Sequence, residues 1–298
     1  MTEDLFIHIK LLIKLTKNKM NKYDSKIKPT WCPGCGNFSI FNAVKQAFEE
    51  LNFGPDDVAA FYDVGCSSNW ADFMTTYGFH GLHGRGLPPA AGASLAHHKM
   101  PILAIIGDGG CYGEGLNHFI AACRANYNVT LLVTNNQLYS LTTGQMSPTT
   151  QQGRKTKSTP HGALQKEFNP LTNAIINHCS FVSRSYAGET KHIKDLLVKS
   201  FNHDGFSLID VLQPCVTLNK EQPYQWYKDR IYKLDQEGYE YHKAIKLAKE
   251  APEKLPIGIF YKEDRPSYQQ LLNQHKKEPL IDQDISSIDI SKSLEEFV

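Results

Sequence analysis

Four short apolar runs, at 58–64, 101–106, 129–134 and 206–211, limit what this chain can become more than any other feature. Each is six or seven residues long, too short for a helix of ordinary length and rich in aliphatic side chains. The first three stop abruptly at Gly65, Gly107 and Asn135. A strand exposed on one face alternates apolar and polar residues, whereas a continuous apolar run belongs to a strand covered on both faces. Helix-length segments separate the runs. Residues 37–52 carry Ile40, Phe41, Val44, Phe48 and Leu51 at helical spacing, 90–99 is rich in small residues, and 116–125 and 190–202 also read as helices. Strands covered on both faces and alternating with helices predict an α/β fold: doubly wound, with a mainly parallel sheet and helices on both sides.

The length of 298 residues allows one large core, and no internal repeat divides it. A formal net charge of +1 provides no global field to recruit nucleic acid or an anionic membrane, so small molecules or protein partners are expected instead. The apolar run at 5–15 is interrupted by His8, Lys10 and Lys14 and is too short to span a bilayer. It reads either as an amphipathic helix docking on a partner or, the preferred reading, as an upstream extension with Met20 the true start. Seven cysteines, an odd number, and no small-residue cleavage site near the N-terminus favour a reducing, cytoplasmic setting. The stretch 144–162 is full of Thr, Ser, Gln, Gly and Lys with no apolar period, and so predicts a long loop of lid or binding type. Lys155 and Lys157 within it read as solvated charges rather than as an anion site. The polar stretch from Lys262 onward reads as a tail that wraps a neighbour or frays. The expected division is an extension at 1–27, a domain at 28–260 and a tail at 261–298.

The first chemical signal is Gly107-Asp108-Gly109-Gly110 at the end of one apolar run, followed by Asn135-Asn136-Gln137-Leu138 at the end of the next. In a parallel sheet both segments lie at carboxyl ends of strands, where such sheets bind ligands. Asp108 offers a carboxylate oxygen, Asn136 an amide oxygen and Leu138 a main-chain carbonyl. These are hard donors suited to Mg2+, which takes oxygen ligands and usually shares itself with a substrate's phosphates. Gly109 and Gly110 allow close backbone approach near a helix start. A dinucleotide glycine motif is absent, because Tyr112 stands at its third glycine, and so is a phosphate loop ending in Lys-Ser/Thr.

The cysteines supply the second signal. Cys32 and Cys35 flank Pro33-Gly34, a turn that turns both sulfurs to one side. Alone, this pair fits zinc, a redox dithiol or an iron–sulfur cluster. A redox dithiol normally opens a helix after a strand, and no strand precedes Trp31, which leaves cluster, zinc and no metal evenly open. Cys66 ends an apolar run, and Cys215 follows Pro214 just after another. Cys111, Cys123 and Cys179 read as small packing residues.

Together with four longer strings, these segments resemble the beta subunit of the 2-oxoacid:ferredoxin oxidoreductases. The strings are Trp31-Cys32-Pro33-Gly34-Cys35-Gly36, Gly65-Cys66-Ser67-Ser68, His80-Gly81-Leu82-His83-Gly84-Arg85-Gly86 and Tyr139-Ser140-Leu141-Thr142-Thr143-Gly144-Gln145. The similarity runs from about Lys28 to Tyr268. It implies a thiamin-diphosphate-binding fold, with thiamin diphosphate held through Mg2+ on Asp108, Asn136 and Leu138. It also implies one 4Fe-4S cluster on Cys32, Cys35, Cys66 and Cys215. By the same resemblance the cofactor is lined by Val64, Gly65, Cys66, Ser67, His83, Gly84, Arg85, Gly86, Gly109, Gly110, Ser140 and Leu141. The implied reaction is oxidative decarboxylation of a 2-oxo acid to an acyl-coenzyme A and CO2, with electrons leaving through the cluster to ferredoxin. Coenzyme A is then a co-substrate, and His83, Arg85 and Asn69 are the candidate catalytic residues. The glutamate that activates the cofactor belongs in this family to an alpha subunit, so an alpha–beta heterodimer or its dimer is expected, inactive as the lone chain.

Three positions depart from the family pattern. Many relatives carry Asp where Gly110 stands and Gly where Ser140 stands, and some carry a substrate-contacting Lys where Asn69 stands. None of these removes a metal ligand, but the last leaves the 2-oxo acid open. The competing readings are the diphosphate-binding half of a non-oxidative decarboxylase or synthase, and a zinc-stabilised scaffold without catalysis.

Overall fold

In the computed structural model, which describes residues 21–249, 253–276, 278–286 and 288–297, the four apolar runs are neighbours in one eight-stranded sheet. The run at 5–15 and Met20 lie outside the described residues. In chain order the strands are β1 Ala59–Tyr62, β2 Tyr77–His80, β3 Ile102–Gly107, β4 Val129–Asn135, β5 Phe181–Tyr186, β6 Phe206–Leu212, β7 Ile231–Lys233 and β8 Leu255–Lys262. Their order across the sheet is β2-β1-β3-β4-β6-β5-β8-β7. From β2 to β5 every pairing is parallel; β8 runs antiparallel to β5 and parallel to β7. The expected doubly wound, mainly parallel α/β architecture is therefore present.

The alternation of side chains explains why the central runs are apolar throughout. Ile102, Ala104 and Ile106 of β3 face one core, while Leu103 and Ile105 face the other. β4 divides in the same way, with Leu131 and Val133 on the first side and Leu132 on the second. The second core is closed by helices α1, Asn37–Glu50, and α5, Thr190–Phe201. The first is closed by α2, Leu87–Ala96, α3, Leu116–Ala125, α4, Pro170–Ile176, and α6, Tyr241–Ala248. Helix α2 begins three residues before the expected 90–99 segment. Pro88 and Pro89 fall in its first turn, where a missing N–H costs nothing.

Residues 263–276, expected to wrap a neighbour or fray, lie instead along this chain's own sheet at the amino ends of its strands. The Arg265 guanidinium donates to the carbonyls of Cys123 and His178, and Gln269 bonds Ser94 and the Asn128 N–H. No described helix is long and apolar enough to cross a membrane.

Candidate functional site

The carboxyl ends of β1, β3, β4 and β6 emerge side by side at the opposite edge of the sheet. They deliver Asp63 to Ser68, Gly107 to Gly110, Asn135 to Leu138 and Gln213 to Cys215 to one place. A small cleft lies among them. Its walls include Val64, Gly65, Cys66, Ser67, His83, Gly109, Gly110, Ser140 and Leu141 of the expected lining, together with Asp108, Asn136 and Leu138. Gly84, Arg85, Gly86 and Asn69 are not in its wall. Arg85 is turned toward main chain, donating to the carbonyls of Gly84 and Glu114 at 3.3 and 2.7 Å. Asn69 sits at the start of a short helical turn, Trp70–Phe73.

Asp108 is buried, and its Oδ2 accepts hydrogen bonds from Ser147 Oγ and Thr149 Oγ1, both at 2.6 Å. Burial pushes its pKa up to about 6 against these two hydroxyls and the Asn136 N–H, which hold it down. Among the described residues no Lys, Arg or His pairs with it. A desolvated carboxylate without a cation is the donor a divalent ion would complete. The Asn136 amide is fixed beside it. Its Nδ2 donates to Ser140 Oγ at 3.1 Å and Gln213 Oε1 at 3.3 Å, and its Oδ1 accepts the Leu138 N–H at 3.0 Å, leaving that oxygen a second lone pair. Between them Gln137 takes a left-handed backbone, φ 62°, pinned by the Thr150 hydroxyl on its carbonyl. Carboxylate and amide thus meet on one wall.

The 144–162 loop builds this wall from behind. Ser147, Thr149 and Thr150 are buried, and Arg154 donates to Gln137, Asn219 and Gln222. Asn219 in turn donates to the Asn136 carbonyl at 3.2 Å. None of these residues was singled out from the sequence, because a Thr/Ser-rich stretch reads the same whether its hydroxyls face solvent or a buried carboxylate. Lys157 meets only Thr143.

His83 stands on the other wall. Its Nδ1 is 3.2 Å from Oδ2 of Asp63, a fully buried carboxylate just past β1, and its Nε2 is 3.5 Å from Glu114. The hydrogen bond to Asp63 leads the causes that raise its pKa, against partial burial. Both glycines of the Gly109-Gly110 pair have no room for a side chain. A Cβ at Gly109 would meet the Tyr139 ring at 2.3 Å, and one at Gly110 would meet Asp63 Oδ2 at 1.8 Å. After them the chain makes a π-helical turn, Gly110–Glu114, closed by Gly115 N–H on the Gly110 carbonyl. Such turns recur at functional sites.

Of the four candidate cluster cysteines, Cys66 lines the cleft. Gly34, φ 81°, makes the turn that lets the Cys35 N–H bond the Cys32 carbonyl, and the Gly36 N–H then reaches the Pro214 carbonyl. Trp31 Nε1 donates to the Cys66 carbonyl at 2.6 Å, and its ring meets Phe38, Phe41, Trp70 and Phe73 edge-on. Burial pushes the Cys35 thiol up to about 11, with Cys215 and Cys66 adding to the rise; Cys66 is raised by burial, and by Cys215 and Cys32. Cys35, Cys66 and Cys215 are therefore within electrostatic reach of one another, and Cys32 is within reach of Cys66. Gln213 donates to Cys35 Sγ at 3.3 Å, and Ser140 to Cys66. Electron-rich sulfurs that already accept hydrogen bonds suit thiolate ligands of a cluster. Among the described residues no three His, Cys, Asp or Glu are gathered tightly as for a single metal ion. Cys111, Cys123 and Cys179 are buried in the core.

Comparison with known proteins gives the family and agrees with the fold. Residues 63–211 match the thiamine pyrophosphate enzyme C-terminal TPP-binding domain, and 215–277 the C-terminal segment of the pyruvate ferredoxin oxidoreductase beta subunit. The chain is 39% identical over 274 residues to the beta subunit of 2-oxoacid:ferredoxin oxidoreductase 1 from Aeropyrum pernix, covering 87% of this chain and 86% of that one. It is 40% identical over 256 residues to the corresponding subunit of Saccharolobus solfataricus, covering 80% and 84%. A solved 2-oxoglutarate:ferredoxin oxidoreductase from Magnetococcus marinus, with 2-oxoglutarate, coenzyme A and succinyl-CoA bound, superposes with TM-score 0.86 at 30% identity over 94% of this chain and 96% of its own. By fold, by motif and by likeness along most of its length, the chain belongs to the beta subunits of the 2-oxoacid:ferredoxin oxidoreductases.

Proposed function

We propose that this chain, joined to an alpha subunit, oxidatively decarboxylates a 2-oxo acid to its acyl-coenzyme A and passes the electrons to ferredoxin. The observation that carries the reading is the meeting of Asp108 and Asn136 on one wall of a cleft that also contains Cys66. Asp108, Asn136 and the Leu138 carbonyl would hold Mg2+, and through it the diphosphate. Cys32, Cys35, Cys66 and Cys215 would hold a 4Fe-4S cluster. Thiamin diphosphate, when bound, supplies the electron sink for loss of CO2, and the cluster the route by which electrons leave.

The chain's own residues have narrower tasks. Ser147 and Thr149 keep the Asp108 carboxylate aimed, so that a bound cation would displace its proton to water without moving the side chain. Ser140 links the two halves of the site, since its hydroxyl accepts from Asn136 and bonds Cys66. His83 offers an imidazole to the anionic substrate from the wall opposite Asn136. Membership of an oxidoreductase family sets aside the non-oxidative and scaffold readings. The reading places the chain in the cytoplasm, where its thiols stay reduced.

The test is co-purification with an alpha subunit without oxygen, followed by iron and acid-labile sulfide analysis and 2-oxo-acid-dependent reduction of a viologen dye. Four irons per beta chain and turnover by the assembled enzyme, with none by the lone chain, are expected. Turnover by the lone chain, or an iron-free active assembly, would overturn the proposal.

A further inference from the structure

Asp63 is the one fully buried carboxylate that touches a cleft residue without lining the cleft itself. Its Oδ1 accepts the Ser68 hydroxyl at 2.6 Å. Its Oδ2 accepts the Gly84 N–H at 3.2 Å and lies 3.2 Å from His83 Nδ1. Those three donors fix the carboxylate on three sides, and the fourth side is the backbone of Gly110. Because a Cβ at 110 would lie 1.8 Å from Oδ2 and 3.2 Å from His83 Cε1, the carboxylate stands in the space a side chain there would need. The glycine at 110 and the aspartate at 63 are therefore one arrangement: a negative charge delivered to His83 from the strand rather than from the π-helical turn.

A carboxylate on one imidazole nitrogen fixes which nitrogen carries the hydrogen and how the ring is turned. We propose that Asp63 is the positioning residue for His83, accepting the Nδ1 hydrogen so that the Nε2–H of the imidazolium is the donor presented to the oxyanion of a substrate in the cleft. Of the other groups facing the ring, the Glu114 carboxylate stands at Nε2 and is the anion a substrate would displace from it. Glu114 lies 3.5 Å from Nε2 and shares its carboxylate with the Tyr139 hydroxyl at 3.2 Å, while the Tyr139 ring meets the imidazole edge-on. The Arg85 guanidinium is turned onto main-chain carbonyls and does not compete for the imidazole. The raised pKa of His83, caused first by Asp63, keeps a second hydrogen available for Nε2. Asp63 itself does not touch the substrate and acts only through the ring.

The inference rests on the reading of the cleft as the substrate site, so its test has one readout that needs no turnover. In the full chain with 15N-labelled histidine, the His83 resonances, assigned with His83→Gln, report tautomer and titration. In Asp63→Asn, His83 is expected to titrate at lower pH and to lose its preference for hydrogen on Nδ1. In the assembled enzyme the same variant is expected to lower kcat about ten- to a hundredfold, the usual loss when an orienting carboxylate is removed from a working imidazole, while KM changes little. The double variant Asp63→Gly/Gly110→Asp moves the carboxylate to the turn and is expected to recover most of the kcat lost in Asp63→Gly. An unchanged His83 titration in Asp63→Asn, an unchanged kcat, or a folded double variant no better than Asp63→Gly would each overturn the assignment. A wild-type assembly that fails to turn over any 2-oxo acid would instead count against the proposed function, leaving the titration to judge Asp63.

Discussion

At the scale of single residues, the energetics of the site centre on Asp108. A buried carboxylate whose pKa stands at about 6 rather than 3.8 prefers its proton in the folded chain. The stability this provides is full below the unfolded value and is lost as pH rises through about 6. The difference between 3.8 and about 6, at 1.36 kcal/mol per pH unit, is about 3 kcal/mol. Without a divalent cation the wild-type chain should therefore lose stability between pH 4 and pH 7, and Asp108→Asn should lose less. At pH 8 in chelator the variant should be more stable by up to about 3 kcal/mol. Added Mg2+ and thiamin diphosphate should raise the melting temperature of the wild type and leave that of the variant unchanged. Thermal unfolding at pH 5 and 8, with and without the ligands, checks both halves. Equal stabilisation of the two chains by the ligands would remove Asp108 from the metal site.

At the scale of elements, the long loop at 144–162 shows what the sequence could and could not tell. The central strands were legible because burial on both faces leaves a continuous apolar run. β5 was not, since Ser183, Arg184 and Ser185 are polar although the strand is buried, with Arg184 paired to Asp210. β2 was missed for the opposite reason: it is an exposed edge strand with no buried face to impose a pattern. The pairing of Asp108 with Asn136 was legible from its spacing and strand context. The supporting shell was not, because Ser147, Thr149 and Arg154 carry no signal in chain order and become a unit only when the loop folds behind Asp108. Asp63 was missed because it adjoins a recognised string without belonging to it. Arg154 gives this account a consequence. Its side chain is 6% exposed and donates to Gln137, Asn219 and Gln222. Arg154→Ala strands two buried acceptors, the amide oxygens of Gln137 and Asn219, while Gln222 keeps donors from Asn219 and Tyr227, and should destabilise the chain by about 2–5 kcal/mol. Because Asn219 carries the restraint onward to the Asn136 carbonyl, affinity for Mg2+ with thiamin diphosphate should fall as well. Denaturant titration and calorimetry measure the two effects; stability lost with affinity intact would show the loop to be scaffold alone.

At the scale of the whole molecule, the two edges of the sheet divide the work. The carboxyl edge opens into the cleft, and the amino edge is closed by the chain's own final segment. There Asn126, with a left-handed φ of 61°, caps α3 and spends its side chain on four neighbours: the Phe206 N–H, the Ser180 hydroxyl, and the carbonyls of Arg265 and Pro266. Arg265 and Gln269 add four further hydrogen bonds, and the rings of Tyr127 and Tyr268 meet at 5.0 Å. Beyond Pro279 the character changes, and Ile281, Ile285, Ile288, Ile290, Leu294 and Phe297 are exposed. Two truncations separate these regions. Ending the chain after Asp264 removes the whole closure; at about 1 kcal/mol per hydrogen bond the loss is on the order of 5 kcal/mol, or roughly 10 °C in melting temperature. Ending it after Asp282 removes, among the described residues, only exposed side chains and should leave the melting temperature of the isolated chain nearly unchanged. Since the closure lies across the sheet from Asp108, the shorter chain should still be stabilised by Mg2+ and thiamin diphosphate when studied well below its melting point. Equal melting temperatures for the two truncations would mean that the amino edge needs no closure. Loss of ligand stabilisation in the shorter one would mean that the two edges are coupled through the strands between them.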